Sequence, residues 1–190
     1  RTGHPIIFTD TRSAQLIKYA SNAMLATRIS FINEMAALCE KVGADVEAVR
    51  RGMSSDPRIG SSFLFPGVGW GGSCLGKDLS AFIAMAREQG LNFDLLNAAG
   101  EANAHAKEWR ARTLLAHFNR TARRVETGEC PPTVAVLGRS FKPRTSDVRD
   151  APATTVIQRL TGRGCVVRWT DPVVRDNLPG YCSDLYNAAE

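Results

Sequence analysis

Residues 13–42 read SAQLIKYASNAMLATRISFINEMAALCEKV, and this stretch decides what the rest of the chain can be. Apolar residues recur at Leu16, Ala20, Met24, Ile29, Ile32, Met35, Ala36 and Cys39, close to the spacing of a helix. Asp10 or Ser13 can cap its start, and Gly43 supplies its stop. About 30 residues at 1.5 Å each reach roughly 45 Å. A chain of 190 residues holds one good core or two small ones. That is too little to cover such a helix alone, so a partner surface is expected.

Working outward, the ten residues before it are short and polar, interrupted by Pro5, and do not read as a secretory signal. A shorter helix follows at 45–53, with Asp45 as its N-cap. Residues 54–73 are rich in Gly, Pro and Ser yet carry Phe63, Leu64, Phe65 and Trp70. A loop with that many large apolar groups folds over something. Helix resumes at 74–89, stops at Gly90 and restarts over 94–119. The charged stretch 120–132, with Gly128 and a Pro-Pro pair, reads as a boundary. Beyond it the period changes. TVAVL at 133–137, bounded by Gly138, is a short apolar run typical of a buried parallel strand. A helix at 152–160 and a second strand, CVVRW at 165–169, complete one βαβ unit of a doubly wound sheet. Too few strands follow to finish that sheet, so the sequence reads as incomplete at its end. The expected fold class is mixed. An all-α domain spans residues 1–128, and the opening of an α/β, Rossmann-like parallel-sheet domain spans 129–190.

Composition narrows the function classes. No apolar run approaches the roughly 18 residues of a membrane span. The five cysteines, Cys39, Cys74, Cys130, Cys165 and Cys182, form no CxxC pair. An odd count without paired spacing argues against a disulfide framework and a zinc site, and for a reducing cytoplasm. The net charge of +5 suits a phosphate-bearing ligand without demonstrating one. Much of the excess lies at Lys107, Arg110, Arg112, Arg120, Arg123 and Arg124. With no aromatic interleaving or recognition motif, that stretch reads as a solvated helix face rather than a nucleic-acid or membrane surface.

Three constellations carry chemistry. The first is GVGWGGSCLGKD at 67–78. Gly71 and Gly72 let the backbone approach a ligand closely, and Ser73 can cap the helix that begins there. Cys74 then falls in the first turn, where the helix dipole favours the thiolate. Lys77 and Asp78 share its face at i+3 and i+4. The second is Lys18 and Asn22, an amine and an amide four residues apart on the long helix, able to hold a developing oxyanion. The third is FKPRTSDVR at 141–149. It leaves the C-terminal end of a parallel strand, where α/β sheets bind ligands, and offers Lys142 and Arg149 to phosphates. Taken singly, each is also ordinary structure: a buried cysteine beside a Gly-rich turn, a surface pair, a charged loop.

Together, in this order, they resemble one family. AQLIKYASNAML (14–25), GWGGSCLGKDL (69–79) and VLGRSFKPRTSDVRD (136–150) are similar to segments of the UDP-glucose and GDP-mannose dehydrogenases. The similarity runs from about residue 13 to 172. It implies oxidation of a sugar C6 alcohol to a carboxylate with two molecules of NAD and no metal. By this resemblance Cys74 attacks the intermediate aldehyde to give a thiohemiacetal, a second hydride leaves, and water cleaves the thioester. Lys18 and Asn22 match the residues that stabilise the oxyanion, and Asp78 the carboxylate that helps to activate water. Lys77 and Arg149 match NAD contacts. Phe63, Gly71, Phe141 and Lys142 match substrate contacts, and Arg58 resembles an arginine reaching the sugar from a neighbouring subunit. The resemblance also implies an all-α domain like the C-terminal part of 6-phosphogluconate dehydrogenase, a symmetric homodimer through the long first helix, and a cytoplasmic enzyme of surface-polysaccharide synthesis. UDP-glucose is the first substrate expected, with GDP-mannose and UDP-N-acetyl-hexosamines as alternatives.

Departures from the family pattern bear on these expectations. Gly76 stands where the family usually has Pro, and Phe65 where some members carry a polar or charged residue. No GxGxxG follows a strand, so the family's N-terminal NAD domain is expected to be absent and the chain alone inactive. Taken by itself it could be a non-catalytic dimerisation module. Single-hydride 6-phosphogluconate and hydroxyacid dehydrogenases share a long-helix domain and a catalytic lysine, but they need no cysteine nucleophile.

Overall fold

The computed structural model describes residue 3 and residues 5–121, 132–175 and 178–183. Most of the expected boundary at 120–132, and Cys130 with it, lies outside the described residues. The first helix, α1 (Thr11–Val42), is 32 residues long, or about 48 Å. Asp10 caps it, its carboxylate accepting from the Arg12 and Ser13 amides, and Gly43 ends it in a left-handed conformation with φ 75°. The inward face carries small residues, Ala23, Ala26, Ser30 and Ala36, beside Ile32 and Asn33. Small side chains let neighbouring helices approach closely.

Helix α2 (Val46–Ser54) is capped by Asp45. Helix α3 (Leu75–Glu88) and helix α4 (Asp94–Thr121) pack on α1. Ala23, Ala26, Trp70 and Leu79 form the shared core, with Phe82, Ile83 and Leu96 around it. The loop between α2 and α3 folds over α1 and α4, as its aromatic content implies. Leu64 and Trp70 are buried. The Trp70 indole donates to Ser30 Oγ (3.0 Å), and its backbone N–H and carbonyl pair with the Asn103 amide (2.7 and 3.0 Å). Arg28 donates to the carbonyls of Ile59, Gly60 and Ser62, and Asn33 accepts from the Gly67 amide.

Two parallel strands follow, β1 (Thr133–Leu137) and β2 (Val166–Thr170), joined by α5 (Pro152–Thr161). Register pairs Thr133 with Val166 and Leu137 with Thr170. A second core forms where α5 lies on the sheet, from Val156, Ile157, Leu160, Val167, Trp169 and Val174. Tyr181 adds a parallel bridge to Trp169 on the far side of β2. Strand β1 departs from the fully buried strand expected. Its residues alternate between exposed and half-buried, because among the described residues only one face of the sheet is covered.

Two further expectations are corrected. The apolar positions read as one stripe on α1 lie on two faces. Ile32, Ala36 and Cys39 are buried, whereas Leu16, Ala20 and Met24 point outward. Lys107, read as part of a solvated face, is buried and donates to Asp150 Oδ1 at 2.7 Å. With the pair between Arg159 and Glu108 (2.9 Å), it ties α4 to the βαβ unit. No described helix is long and apolar enough to cross a membrane.

Candidate active site

The Gly-rich loop is held in place by the βαβ unit. The Gly72 amide donates to the Arg149 carbonyl at 2.9 Å. A Cβ at Gly71 would overlap the Asp150 carbonyl, and one at Gly72 would sit 2.5 Å from the Phe141 ring. The glycines expected to admit a ligand therefore admit the second domain. Their missing side chains are the space into which the switch loop, residues 139–150, fits.

Cys74 occupies the N-cap position of α3, one residue before the first turn in which it was expected. Ser73 does not cap the helix, and no side chain does. The thiol is exposed, with Ser73 Oγ 3.8 Å from Sγ, and its carbonyl accepts from the Asp78 amide at 2.8 Å. One turn into α3, the Asp78 carboxylate is buried and collects three donors. Lys18 Nζ lies 3.0 Å and Asn22 Nδ2 2.5 Å from Oδ2, while Lys77 Nζ bonds Oδ1. The i, i+4 pair of α1 thus meets the first turn of α3. The Lys77 ammonium, helped by Lys18 and Asn22 against the cost of burial, holds Asp78 down to about 2. In return Asp78 raises Lys77, with a smaller contribution from Cys74. The arrangement is a fixed cationic patch built on one carboxylate, at the helix end that carries the thiol.

A second carboxylate lies in the switch loop. Asp147 accepts Arg149 Nε on Oδ1 (2.9 Å) and Nη2 on Oδ2 (2.7 Å). The Arg149 guanidinium, helped by the Arg149 amide, holds it near 2. Arg149 is raised by Asp147 and, more weakly, by Cys74. Sequence reasoning named Arg149 and missed Asp147, although an aspartate two residues before an arginine in a loop is the spacing of an Asx turn. Also missed was Asp171, just after β2. Its buried carboxylate accepts from the amides of Arg139, Ser140, Val173 and Val174 (2.7–3.0 Å). Burial opposes ionisation there, but the four amides more than offset it and leave the group well below the usual carboxylate range.

Phe63, Gly71, Phe141 and Lys142, predicted as substrate contacts, line one cleft of about 540 Å3 together with Phe65 and Trp70. The Lys142 ammonium lies 5.2 Å from the Phe141 ring centroid. An adjoining cleft of about 740 Å3 runs along the C-terminal ends of β1 and β2 and shares Gly69, Phe141 and Lys142. Phe63 holds φ 59°, a left-handed conformation that costs a bulky residue energy. Arg58 stands apart from all of this. It is exposed and paired with Asp56 in its own loop (2.6 Å). Among the described residues no group of three or more His, Cys, Asp or Glu could hold a metal.

Comparison with known proteins gives this geometry its context. Residues 12–105 match the central domain of the UDP-glucose/GDP-mannose dehydrogenase family, and residues 135–190 its UDP binding domain. UDP-glucose 6-dehydrogenase YwqF of Bacillus subtilis is 46% identical over 169 residues, which cover 89% of this chain and 37% of that protein. A UDP-glucose 6-dehydrogenase of Pseudomonas aeruginosa is 44% identical over 91% of this chain and 37% of its own length. The structure of a UDP-glucose dehydrogenase from Pyrobaculum islandicum superposes with a TM-score of 0.80 at 34% identity, covering 95% of this chain and 41% of that one. The chain therefore spans about two fifths of the length of these relatives. With both matches in order along its length, it belongs to the UDP-glucose/GDP-mannose dehydrogenase family.

Proposed function

We propose that the full-length protein oxidises the C6 alcohol of a UDP-sugar, UDP-glucose first, to the uronate through a covalent intermediate on Cys74. The observation that supports this reading is the meeting of Lys18, Asn22 and Lys77 on Asp78, at the helix end that presents an exposed thiol. Attack of the Cys74 thiolate on an aldehyde carbon leaves negative charge on the aldehyde oxygen. The Lys18 ammonium and the Asn22 amide are the donors for it, held in place by the buried Asp78 carboxylate. The thiohemiacetal then loses hydride to become a thioester, and water releases the acid. Asp78 stays ionised down to about pH 2 while three donors hold it, so its first task is positioning. It can take a proton from water only after a donor turns to the substrate. The aromatic cleft of Phe63, Phe65 and Phe141, with Lys142, suits a base and a diphosphate.

NAD supplies the hydride acceptor when bound. This chain fits only the margin of such a site: Lys77 and Arg149 are exposed cations, each oriented by a carboxylate, and neither is part of a glycine-rich phosphate loop. Assembly is the second half of the reading. Ile17, Met24, Phe31 and Leu38, seven residues apart, form an exposed apolar stripe on α1. A second copy of α1 in a symmetric dimer is the partner for it. That arrangement suits Arg58, which is exposed, paired with Asp56 and outside its own chain's cluster. The free cysteines suit a reducing cytoplasm.

The test is turnover of the full-length protein with NAD and, in parallel, UDP-glucose, GDP-mannose and UDP-N-acetylglucosamine, with the acid identified by mass spectrometry. UDP-glucuronate with two NADH per acid is expected. Acid from GDP-mannose alone would overturn the substrate, and no acid from any would overturn the reaction.

A further inference from the structure

We infer that Lys107, with Asn103 one turn before it on α4, is a positioning residue that sets the distance between the Cys74 thiol and the switch loop. The inference rests on the reading of Cys74 as the nucleophile and of Phe141 and Lys142 as substrate contacts. It adds the buried tie that brings the two together.

Asn103 and Lys107 lie at i and i+4 on α4, so they share one face, and both are buried. The Gly-rich loop lies across that face. Asn103 Oδ1 accepts from the Trp70 amide (2.7 Å), and its Nδ2 donates to the Trp70 carbonyl (3.0 Å). Gly69 is pressed against both side chains: a Cβ there would sit 2.7 Å from Asn103 Oδ1 and 3.1 Å from Lys107 Cγ. The stem of the lysine therefore supports the loop that carries the thiol.

The head of the same lysine holds the switch loop. Its Nζ donates to Asp150 Oδ1 at 2.7 Å and lies 3.4 Å from the Asp150 carbonyl. That carbonyl fills the space over Gly71, where an added Cβ would meet it at 2.0 Å. Asp150 holds a left-handed φ of 49°, uncommon for a residue with a side chain, and the adjacent Arg149 carbonyl accepts from the Gly72 amide (2.9 Å). A buried ammonium is costly without its partner, so Lys107 keeps Asp150 in place, and Asp150 seats Gly71. Phe141 and Lys142, on the same switch loop, share a cleft with Gly71. The pair between Arg159 and Glu108 is more exposed and joins helix to helix only. A misplacement of about 1 Å costs a reaction roughly a hundredfold, so a lysine that registers the two loops acts on the rate without touching substrate.

Lys107→Met keeps the stem and removes the ammonium. In the full-length protein it should lower kcat roughly a hundredfold and leave KM for UDP-glucose within about threefold, because Phe141 and Lys142 stay on their loop. Alkylation of Cys74 by iodoacetamide, read by peptide mass spectrometry without turnover, should stay within about twofold of wild type. The donors gathered beside the thiol come from α1 and α3. Lys107→Arg, which can still bond Asp150, should recover part of kcat. Asp150→Asn keeps the carbonyl over Gly71 and should lose less of kcat than Lys107→Met. The two changes together should cost little more than Lys107→Met alone. Arg159→Met removes the more exposed tie and should leave kcat within about twofold. Should Lys107→Met unfold early on heating, Lys107→Arg and Asp150→Asn carry the test. Wild-type kcat in Lys107→Met and Asp150→Asn, alkylation that falls in step with kcat, an equal loss in Arg159→Met, or losses that multiply in the double would overturn the inference. Failure of the nucleophile reading looks different: acid would still form in Cys74→Ala, whatever the Lys107 variants do.

Discussion

Asp78 shows how much one side chain can organise. It is buried, ionised and surrounded by donors on two helices that are 56 and 60 residues away in sequence or adjacent to it. Its neighbours Lys77 and Cys74 were legible from their spacing, and so was the Lys18–Asn22 pair. That these two groups share one carboxylate was not, because spacing within a helix says nothing about which other helix it meets. Asp78→Asn should remove the counter-charge for both lysines and lower kcat by about 100- to 1,000-fold in the full-length protein. Stability follows the same group. Its folded-state value is depressed from 3.8 to about 2, so its contribution is complete above the unfolded value and is lost as pH falls through about 2. Melting temperatures of wild type and Asp78→Asn should therefore differ at pH 7 and converge as the pH drops from about 4 to about 2. A constant difference over that range would show that the charge does not support the fold.

Elements were legible where a cap or a period marks them. Asp10, Gly43 and Asp45 delimit α1 and α2 as their chemistry requires, and TVAVL forms the strand its composition suggests. What escaped was the docking of elements. Lys107 looks in sequence like the other charged residues of α4, and only the fold reveals Asp150 opposite it. The glycines of the cysteine loop looked like room for a ligand, yet their space is filled by Asp150 and Phe141. Gly71→Ala and Gly72→Ala should each cost about 2–4 kcal/mol in urea unfolding, since backbone and an aromatic ring must move. Gly72 adds strain at φ 87°. Gly67→Ala, whose Cβ would meet nothing within 4 Å, should change the midpoint little. Equal effects at Gly67 and Gly71 would mean that docking of the loop does not depend on this fit. Asp171→Ala strips four amides, two of them buried, of their acceptor and should cost about 3 kcal/mol, read in the same experiment.

At the scale of the molecule, the length of α1 leads the sequence reading to expect a partner surface, and the exposed stripe of Ile17, Met24, Phe31 and Leu38 is the face proposed for it. The sequence reading names only Met24 of these four and places it in one stripe with Ile32, Ala36 and Cys39, which are buried. Phe31→Asp with Leu38→Asp should convert a dimer into a folded monomer by light scattering at micromolar concentration. A wild-type monomer would place the dimer contact elsewhere. The central claim remains chemical: the helix end at Cys74 carries a covalent reaction. It is tested most directly by incubating full-length wild type and Cys74→Ala with UDP-glucose and NAD and measuring UDP-glucuronate by mass spectrometry. The wild type should form the acid with two NADH for each molecule, and the variant should form none. Acid at the wild-type rate from Cys74→Ala would contradict the account.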